Sequence, residues 1–299
     1  MEDSRLLTGQ AEIRRSETRA THGLSQATQA TQVTQDRWVA RGRYAAFGVS
    51  WEVRADDVSA YHLLLDRLPP GASPTSSKAT ARTYAFRTLP SSLTDGEVSF
   101  LLTADGRPLV RSSEPNDIAE AFEDDLKWLV AERSPRKVFL HAGVVGWRDR
   151  AILIPGGPKS GKSTLVRALV GCGATYFSDE YAVLEGNLVQ PFPARLPNWS
   201  APGTSLSYWL DEFASTRNTK PVPVGLVLFA PHQQGAVFKP RLLSRGKSLL
   251  GMFKYAVAAQ RQPERVLRAL ESVTRKCNAL EGARGDAQAA ATYLLERLV

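Results

Sequence analysis

Alternating and apolar runs of residues, separated by polar segments, predict a chain that mixes strands and helices. The stretch from Trp38, WVARGRYAAFGVSWEV, is typical of two strands joined by a turn, and a short helix is expected near 59–68. Strands are also expected at 83–89 and 97–110, where Asp105-Gly106 favours a hairpin turn. These elements predict a small α+β unit that precedes the first long helix.

That long helix is predicted over 116–132, with Asn116 or Asp117 as its N-cap. Its apolar side chains recur at helical spacing, at Ile118, Phe122, Leu126, Leu129 and Val130. With the strands before it, the helix completes a predicted N-terminal α+β domain at 37–132. Residues 1–36 are polar and rich in Thr and Gln, and are predicted to be a disordered tail.

The remaining residues, 133–299, predict a second domain built around a glycine-rich segment. Strands are expected at 137–147, 151–155, 175–186 and 222–230, and a turn is expected at Arg148-Asp149. The first helix of this domain is expected at 163–171. Three more helices are predicted near 244–258, 263–276 and 286–298, so the C-terminal part is expected to be largely helical. The Pro- and Ser-rich segment 191–222 is interpreted as a long loop, either a lid or a substrate-binding insertion.

The composition is that of a globular protein with a full core, because 43% of the 299 residues are hydrophobic. No run approaches the roughly eighteen apolar residues of a membrane helix, and the N-terminus lacks the apolar core of a signal peptide. We therefore expect a cytoplasmic protein with no membrane partner. Cys172 and Cys277 lie far apart and outside any metal-binding pattern, so both are expected to be buried, reduced thiols.

The net charge of +8 raises the question of a nucleic-acid partner, because basic patches bind phosphate backbones. The arginines are spread along the whole chain, however, without the interleaved basic and aromatic residues of nucleic-acid platforms. The sequence therefore does not favour nucleic-acid binding.

The segment GGPKSGKST is the strongest indication of function. It meets the pattern G-x-x-x-x-G-K-[ST] between a predicted apolar strand and an apolar-periodic helix, which is the setting of a P-loop. There, backbone N–H groups and the helix N-terminus face phosphates, Lys162 reaches the β- and γ-phosphates of ATP or a related nucleotide, and Ser163 binds Mg²⁺. The predicted nucleotide-binding residues are Gly156, Gly157, Pro158, Lys159, Ser160, Gly161, Lys162, Ser163 and Thr164. A strand-to-helix turn without a ligand is the alternative interpretation.

A second GKS, Gly246-Lys247-Ser248, serves as an internal comparison. The pattern requires a glycine at position 241, which is Arg241. This segment is therefore interpreted as the start of a helix with a solvated lysine.

Two adjacent acids, Asp179 and Glu180, follow the glycine-rich segment after one helix and one strand. The helix of about ten residues leads roughly 15 Å away, and a strand of about five residues returns roughly 16 Å. Because strand-helix-strand crossovers are normally parallel, both acids are predicted to reach the sheet edge where Lys162 lies. One carboxylate can then serve Mg²⁺ and the other a substrate hydroxyl, although an ordinary acidic pair at a strand end fits the position equally.

His141 lies in the strand before the glycine-rich segment, where a histidine is either catalytic or a hydrogen-bonded core residue. The other histidines, His22, His62 and His232, have no partner at catalytic or metal-ligand spacing. His141 is therefore the only histidine that the sequence makes a candidate.

In the order of these motifs, HAGVVGWRDRAILIPGGPKSGKSTLVRALVGCGATYFSDEYAVLEG resembles the catalytic core of the HPr kinase/phosphorylase family, particularly its shorter HPr-kinase-like relatives. The resemblance covers about 137–193 and is weaker in the C-terminal third. It implies an α/β P-loop kinase core related to HPr kinase and phosphoenolpyruvate carboxykinase. It also implies that Asp179 takes a proton from the attacking hydroxyl, that Glu180 and Ser163 help to hold Mg²⁺, and that His141 orients or tunes Asp179.

The sequence departs from that family at two places. Glu180 stands where the HPr kinases proper have Asp, and their glycine-rich signature with a further acidic metal ligand is absent. The corresponding segment here, QPFPARLPNWSAPG, resembles the Pro-rich segment of the shorter relatives, in which Arg195 is a candidate phosphate or substrate contact. These departures do not favour HPr itself as the acceptor.

The leading hypothesis is an ATP- and Mg²⁺-dependent kinase that phosphorylates a hydroxyl, either a serine of a peptide or protein or a small molecule. Its acceptor is unidentified, and self-association into a homo-oligomer is left open. The alternative is a regulatory or accessory protein that binds a nucleotide without efficient phosphotransfer.

Overall fold

The computed structural model describes residues 38–89, 98–193 and 220–297. Within these residues the protein has six helices and two β-sheets, which confirms the predicted α/β class. The described residues from Val39 onward belong to one compact unit, and the predicted boundary between 132 and 133 stays a prediction. The predicted tail at 1–36, most of the predicted loop at 191–222 and Arg195 lie outside the described residues.

The first sheet contains the N-terminal strands. They are β1 (Ala40–Ala46), β2 (Val49–Ala55), β3 (Ser73–Pro74), β4 (Arg82–Leu89), β5 (Ser99–Ala104) and β6 (Arg107–Ser112), in the order β3-β1-β2-β4-β5-β6. Asp105 and Gly106 both have positive φ, 51° and 77°, so the predicted hairpin between β5 and β6 is confirmed with a primed turn.

Two helices, α1 (Val58–Leu65) and α2 (Pro115–Arg133), belong to this part of the chain. The predicted cap of α2 at Asn116 or Asp117 is wrong, because the helix begins earlier, with Pro115 in its first turn and Glu114 as N-cap. Proline is suited to that position, since its φ is already helical and its missing N–H would have no partner there. The Asp117 carboxylate instead accepts a hydrogen bond from Ser112 Oγ.

The second sheet contains eight strands. They are β7 (Val138–Trp147), β8 (Arg150–Pro155), β9 (Thr175–Ser178), β10 (Tyr181–Glu185), β11 (Leu188–Gln190), β12 (Val222–Phe229), β13 (Arg241–Leu242) and β14 (Asn278–Glu281). The main order is β11-β10-β7-β8-β12-β14-β13, and β9 pairs with β7. Both β8 and β9 run antiparallel to β7, so β8 and β9 are parallel to each other with β7 between them. The carboxyl ends of β8 and β9 therefore lie at the same edge of the sheet.

Four helices cover the two faces of this sheet. They are α3 (Lys162–Gly171), α4 (Arg245–Phe253), α5 (Pro263–Thr274) and α6 (Ala287–Arg297). Apolar side chains of α3 and α6, including Leu165 and Leu294, pack with Ile152 and Ile154 on one face. Met252 of α4 and side chains of α5 pack on the other face. Burying apolar area on both faces stabilises this three-layer arrangement.

The two sheets share apolar packing. Trp51 and Phe122 of the N-terminal part belong to the same buried cluster as Phe139 and Tyr181 of the second sheet. This shared cluster holds α2 beside β7 and β10, where the candidate site lies.

The structure differs from the sequence prediction at several elements of the C-terminal half. The segment predicted as one strand at 175–186 is two strands, and the C-terminal part is not wholly helical because β13 and β14 extend the sheet. The helix predicted over 244–258 ends at Phe253. Cys172 and Cys277 are free, as predicted, but they are half-buried rather than buried. In the described part of the chain, no helix combines the length and the apolar character that spanning a membrane requires.

Candidate functional site

The glycine-rich loop, Gly156–Gly161, connects the end of β8 to the start of α3. Its turn is closed by a hydrogen bond from the Ser160 N–H to the Gly157 carbonyl, 3.4 Å, and Lys159 has a positive φ of 59°. The N-cap of α3 is Gly161, which has no side chain to cap the first N–H groups of the helix. A helix N-terminus of this kind favours an anion, because its N–H groups and dipole present partial positive charge.

Gly161 is required by both its conformation and its surroundings. Its φ is +83°, which L side chains rarely adopt, and an added Cβ would lie 2.6 Å from Arg284 Nη2. Arg284 Nη2 donates a hydrogen bond to the Gly161 carbonyl. The loop is therefore fitted closely around an arginine from the C-terminal third of the chain.

Lys162 lies in the first turn of α3, and its Nζ donates to the Gly157 carbonyl at 2.7 Å. Burial lowers the pKa of Lys162, and the negative charge of Asp179 opposes that shift. The ammonium group is thus held against the loop within the electrostatic influence of the predicted acid.

Asp179 follows the last residue of β9, at the edge of the sheet where the glycine-rich loop leaves β8. Its Oδ1 accepts a hydrogen bond of 2.9 Å from the Tyr176 hydroxyl, which fixes the orientation of the carboxylate. Ser178 Oγ accepts from the N–H groups of Glu180 and Tyr181, at 3.2 and 3.0 Å. This serine turn separates β9 from β10 and explains why the two acids interrupt the single strand expected from the sequence.

Glu180 interacts with α2 rather than with the loop. Its Oε2 lies 2.9 Å from Lys127 Nζ, which also lies 2.8 Å from Glu123 Oε1. Glu123 in turn pairs with Arg67, which follows α1, at 3.2 Å. Four alternating charges therefore extend from Arg67 through α2 to the candidate site. Burial raises the pKa of Glu180 despite the opposing charge of Lys127. Burial would lower the pKa of Lys127, but Glu180 and Glu123 together raise it.

His141 lies in β7 opposite Tyr181 of β10, with its ring centroid 4.7 Å from that of Tyr181. The half-exposed Trp128 stacks on it at 6.5 Å. The His141 carbonyl accepts a hydrogen bond from the Gly156 N–H at 3.3 Å, so His141 lies directly beside the glycine-rich loop. Burial and the positive charge of Lys162 lower the pKa of His141 to about 4, which makes the imidazole neutral at neutral pH. The predicted tuning of Asp179 by His141 stays a prediction.

A cleft of about 840 Å³ opens beside the loop. Its polar lining includes Lys159, Lys162, Arg167, His232, Arg284 and Asp286, together with Ser163 and Thr164. His141, Asp179 and Glu180 are not part of that lining, but the charge of Asp179 acts on both Lys162 and Arg167. Lys162 therefore lines the cleft and is also close enough to the acidic turn to be influenced by the charge of Asp179.

Sequence reasoning did not identify Arg284 and His232 as site residues. The His232 N–H donates to the Ser160 carbonyl at 3.2 Å, and its Nδ1 lies 3.1 Å from the Gly285 carbonyl oxygen. These residues follow the carboxyl ends of β12 and β14, where ligands commonly bind in parallel sheets. That rule could have selected His232, but it could not select Arg284 because β14 was not predicted.

The described residues do not contain a group of three or more His, Cys, Asp or Glu side chains that could hold a metal ion by themselves. Mg²⁺ usually takes only one or two carboxylates and completes its shell with phosphates and water, so this observation is compatible with a nucleotide-borne Mg²⁺. Ser163, at the start of α3, faces the cleft. The Glu180 carboxylate is engaged by Lys127, and its predicted metal role stays a prediction.

Similarity to known proteins was found among solved structures alone. No protein-family model matches the sequence, and no curated protein matches it. Among solved structures, the chain is similar to the HPr(Ser) kinase/phosphatase from Coxiella burnetii, with 13% sequence identity and a TM-score of 0.27. The alignment covers 53% of this chain and 93% of that protein. A similarity of this size does not establish a shared family.

Proposed function

We propose that the protein is an ATP- and Mg²⁺-dependent phosphotransferase that phosphorylates a hydroxyl, with the P-loop kinase core that its sequence motifs imply. The observation that carries the proposal is that Lys162, which contacts the glycine-rich loop and lines the cleft, is also within the electrostatic influence of Asp179. Phosphoryl transfer uses cations that stabilise the charge on the phosphates, together with a base that receives the acceptor's proton. A protein that only bound an anion would not need the carboxylate.

The nucleotide's phosphates are proposed to bind at the glycine-rich loop. The uncapped N-terminus of α3, the ammonium of Lys162 and the hydroxyl of Ser163 converge there. The Ser160 hydroxyl is buried and has no hydrogen-bond partner among the described residues, so the loop retains an unsatisfied polar group. These features fit a phosphate chain, and Mg²⁺, held by Ser163 with Glu180, would neutralise its charge.

In the proposed transfer, the acceptor approaches from the side of Asp179. Asp179 takes the proton of the acceptor hydroxyl as the hydroxyl oxygen forms a bond to the γ-phosphorus. The bond from that phosphorus to the bridging oxygen breaks, and ADP leaves with the bonding electron pair. The Tyr176 hydroxyl orients the Asp179 carboxylate, and Lys162 stabilises the negative charge on the phosphoryl group.

One observation favours a second candidate, a nucleotide-binding accessory protein without efficient transfer. Glu180 is ion-paired with Lys127, so a metal ion would have to compete for the carboxylate. In this alternative, the chain binds ATP and the acidic turn serves only to connect α2 with the second sheet.

The two candidates are separated by labelling with γ-³²P-ATP and Mg²⁺. The wild-type chain is incubated with the products of neighbouring genes, in parallel with Asp179→Asn. We expect the wild type to label one acceptor, and Asp179→Asn to bind ATP with similar affinity but to label it at least about a hundredfold more slowly. Equal labelling by the variant would refute Asp179 as the base, and ATP binding without labelling of any acceptor would favour the accessory role.

A further inference from the structure

The cleft beside the glycine-rich loop carries an excess of positive charge. Four cationic side chains, Lys159, Lys162, Arg167 and Arg284, line it, whereas Asp286 is the acidic residue in the lining. Lys162 and Arg167 are both influenced by Asp179, which lies outside the lining. The proposed transfer uses only Lys162 of these four, and Arg284 is the one among them that is buried.

Arg284 is buried in an unusual way for an arginine. The residue is only 1% exposed, and among the described residues no carboxylate lies within ion-pairing distance of its guanidinium. Its Nε is buried without a hydrogen-bond partner in the described part of the chain. Burial lowers the pKa of Arg284, and the charge of Asp286, which is not within ion-pairing distance, opposes that shift. Burying a charged group without a close ion pair is costly, and such groups are normally paired. This burial is explained if the guanidinium faces an anion that enters the cleft.

Two of the four cations, Lys162 and Arg284, contact opposite ends of the loop. Lys162 Nζ contacts the Gly157 carbonyl, and Arg284 Nη2 contacts the Gly161 carbonyl. The uncapped N-terminus of α3 begins directly after Gly161. The N-terminus of α6 offers less, because Asp286 Oδ1 already accepts from the Ala289 N–H there. An anion with charge at more than one position would therefore contact Lys162 at one end and Arg284 at the other.

We infer that Arg284 binds the phosphate chain at the Gly161 end of the loop, and that the cleft consequently selects ligands with two or more linked phosphates over a single phosphate. This inference rests on the proposed nucleotide site and adds to it a residue from the C-terminal third of the chain. A planar guanidinium suits the role, since it can donate to two phosphate oxygens at once.

A purely structural role for Arg284 makes a different prediction. If the arginine only fastened Gly161 to the C-terminal third, replacing it would destabilise the unliganded fold, and any loss of binding would accompany that damage. If its charge is kept for a ligand, Arg284→Met should leave the unliganded melting temperature unchanged or raised, because an apolar side chain avoids the cost of burying a charge.

The experiment measures binding of inorganic phosphate, pyrophosphate and tripolyphosphate to the full chain by calorimetry at constant ionic strength. Wild type, Arg284→Met and Arg284→Lys are compared, with Arg268→Met as the matched control because that arginine is exposed on α5. We expect wild type to bind tripolyphosphate and pyrophosphate more tightly than phosphate. Arg284→Met should lose about ten- to a hundredfold in affinity for both polyphosphates, as for one lost hydrogen bond to a charged group. Arg284→Lys should lose less, and Arg268→Met should bind like wild type.

Unchanged polyphosphate affinity in Arg284→Met overturns the inference. If that variant fails to fold, the wild-type series decides, because equal affinity for phosphate and tripolyphosphate also overturns it. If wild type labels an acceptor and Arg284→Met binds polyphosphates like wild type, the proposed function is supported and the inference about Arg284 is refuted. If Arg284→Met loses polyphosphate binding and wild type labels no acceptor, the inference about Arg284 is supported and phosphotransfer is not.

Discussion

Lys127 Nζ lies 2.9 Å from Glu180 Oε2, and this ion pair joins α2 to the turn that also carries Asp179. The two adjacent acids therefore have different partners. Asp179 is oriented by Tyr176 and influences Lys162, whereas Glu180 belongs to the alternating charges that extend through Glu123. Neighbouring carboxylates with different surroundings can serve different purposes, as the proposed function requires of Asp179 as proton acceptor and of Glu180 as a structural or metal-binding group.

Lys127→Met tests the structural importance of this pair. The substitution leaves Glu180 and Glu123 without their shared cation in a part-buried setting, with side chains 9% exposed for Lys127 and 31% for Glu180. We expect a loss of about 2–3 kcal/mol in the free energy of unfolding, somewhat below the cost of breaking a fully buried pair. Urea unfolding at neutral pH measures it.

The matched control for that substitution is Lys137→Met. Lys137 pairs with Glu185, whose side chain is 56% exposed, so its loss should cost no more than about 1 kcal/mol. If both variants lose the same free energy, the Lys127 pair is not a special feature of the site.

The charge state of His141 predicts a dependence of stability on pH. Its folded-state pKa is about 4, lowered from 6.5 by burial and by Lys162. Between those values the unfolded chain binds more protons at this residue, so this contribution to stability is complete above pH 6.5 and is lost as the pH falls toward 4. We expect the difference in unfolding free energy between wild type and His141→Phe to shrink by up to about 1 kcal/mol per pH unit in that window.

Urea unfolding of both proteins at several values between pH 7 and pH 4 measures this difference. Carboxylates titrate in both proteins at the acid end of the range, so the comparison with His141→Phe isolates the histidine. A difference that stays constant with pH would mean that His141 is not held neutral in the folded protein.

Gly161 and Gly246 each precede a lysine in a Gly-Lys-Ser segment, and replacing each by alanine compares how strictly the backbone requires glycine at the two positions. Gly161→Ala places a Cβ 2.6 Å from Arg284 Nη2 at a φ of +83°, and should cost about 1–2 kcal/mol or more and weaken ATP binding. Gly246→Ala, at the start of α4, meets no atom within 4 Å and should be neutral or stabilise by up to about 1 kcal/mol. Thermal unfolding and ATP titration of both variants test this, and equal effects would contradict the assigned difference.

Local signals were sufficient for much of the fold. The turn at Arg148-Asp149 adopts positive φ at both residues, and the segment around Lys247 is the start of a helix with an exposed lysine, both as predicted. Such features depend on a few neighbouring residues, whose conformational preferences are visible in the sequence.

Contacts between residues far apart in the sequence could not be predicted from such local signals. Arg284 reaches Gly161 across 123 positions, and Lys127 reaches Glu180 across 53. Neither partner has a neighbouring motif that indicates its contact, and β14, with the sequence NALE, is too short to show a strand period. The glycine-rich loop and the acidic turn could be predicted as neighbours, but the arginine behind the loop and the lysine behind Glu180 required the structure.

The two GKS segments give the most direct test of the site as a whole. Lys162→Met removes the lysine that lines the cleft and is influenced by Asp179, whereas Lys247→Met removes an exposed lysine at the start of α4. We expect Lys162→Met to lose ATP affinity by about a hundredfold or more, since it removes a charge-assisted contact to the phosphates. Its unliganded melting temperature should not fall, because burial already disfavours the charged form of Lys162. Lys247→Met should bind ATP like wild type, and a comparable loss in both variants would show that overall positive charge, rather than this loop, attracts the nucleotide.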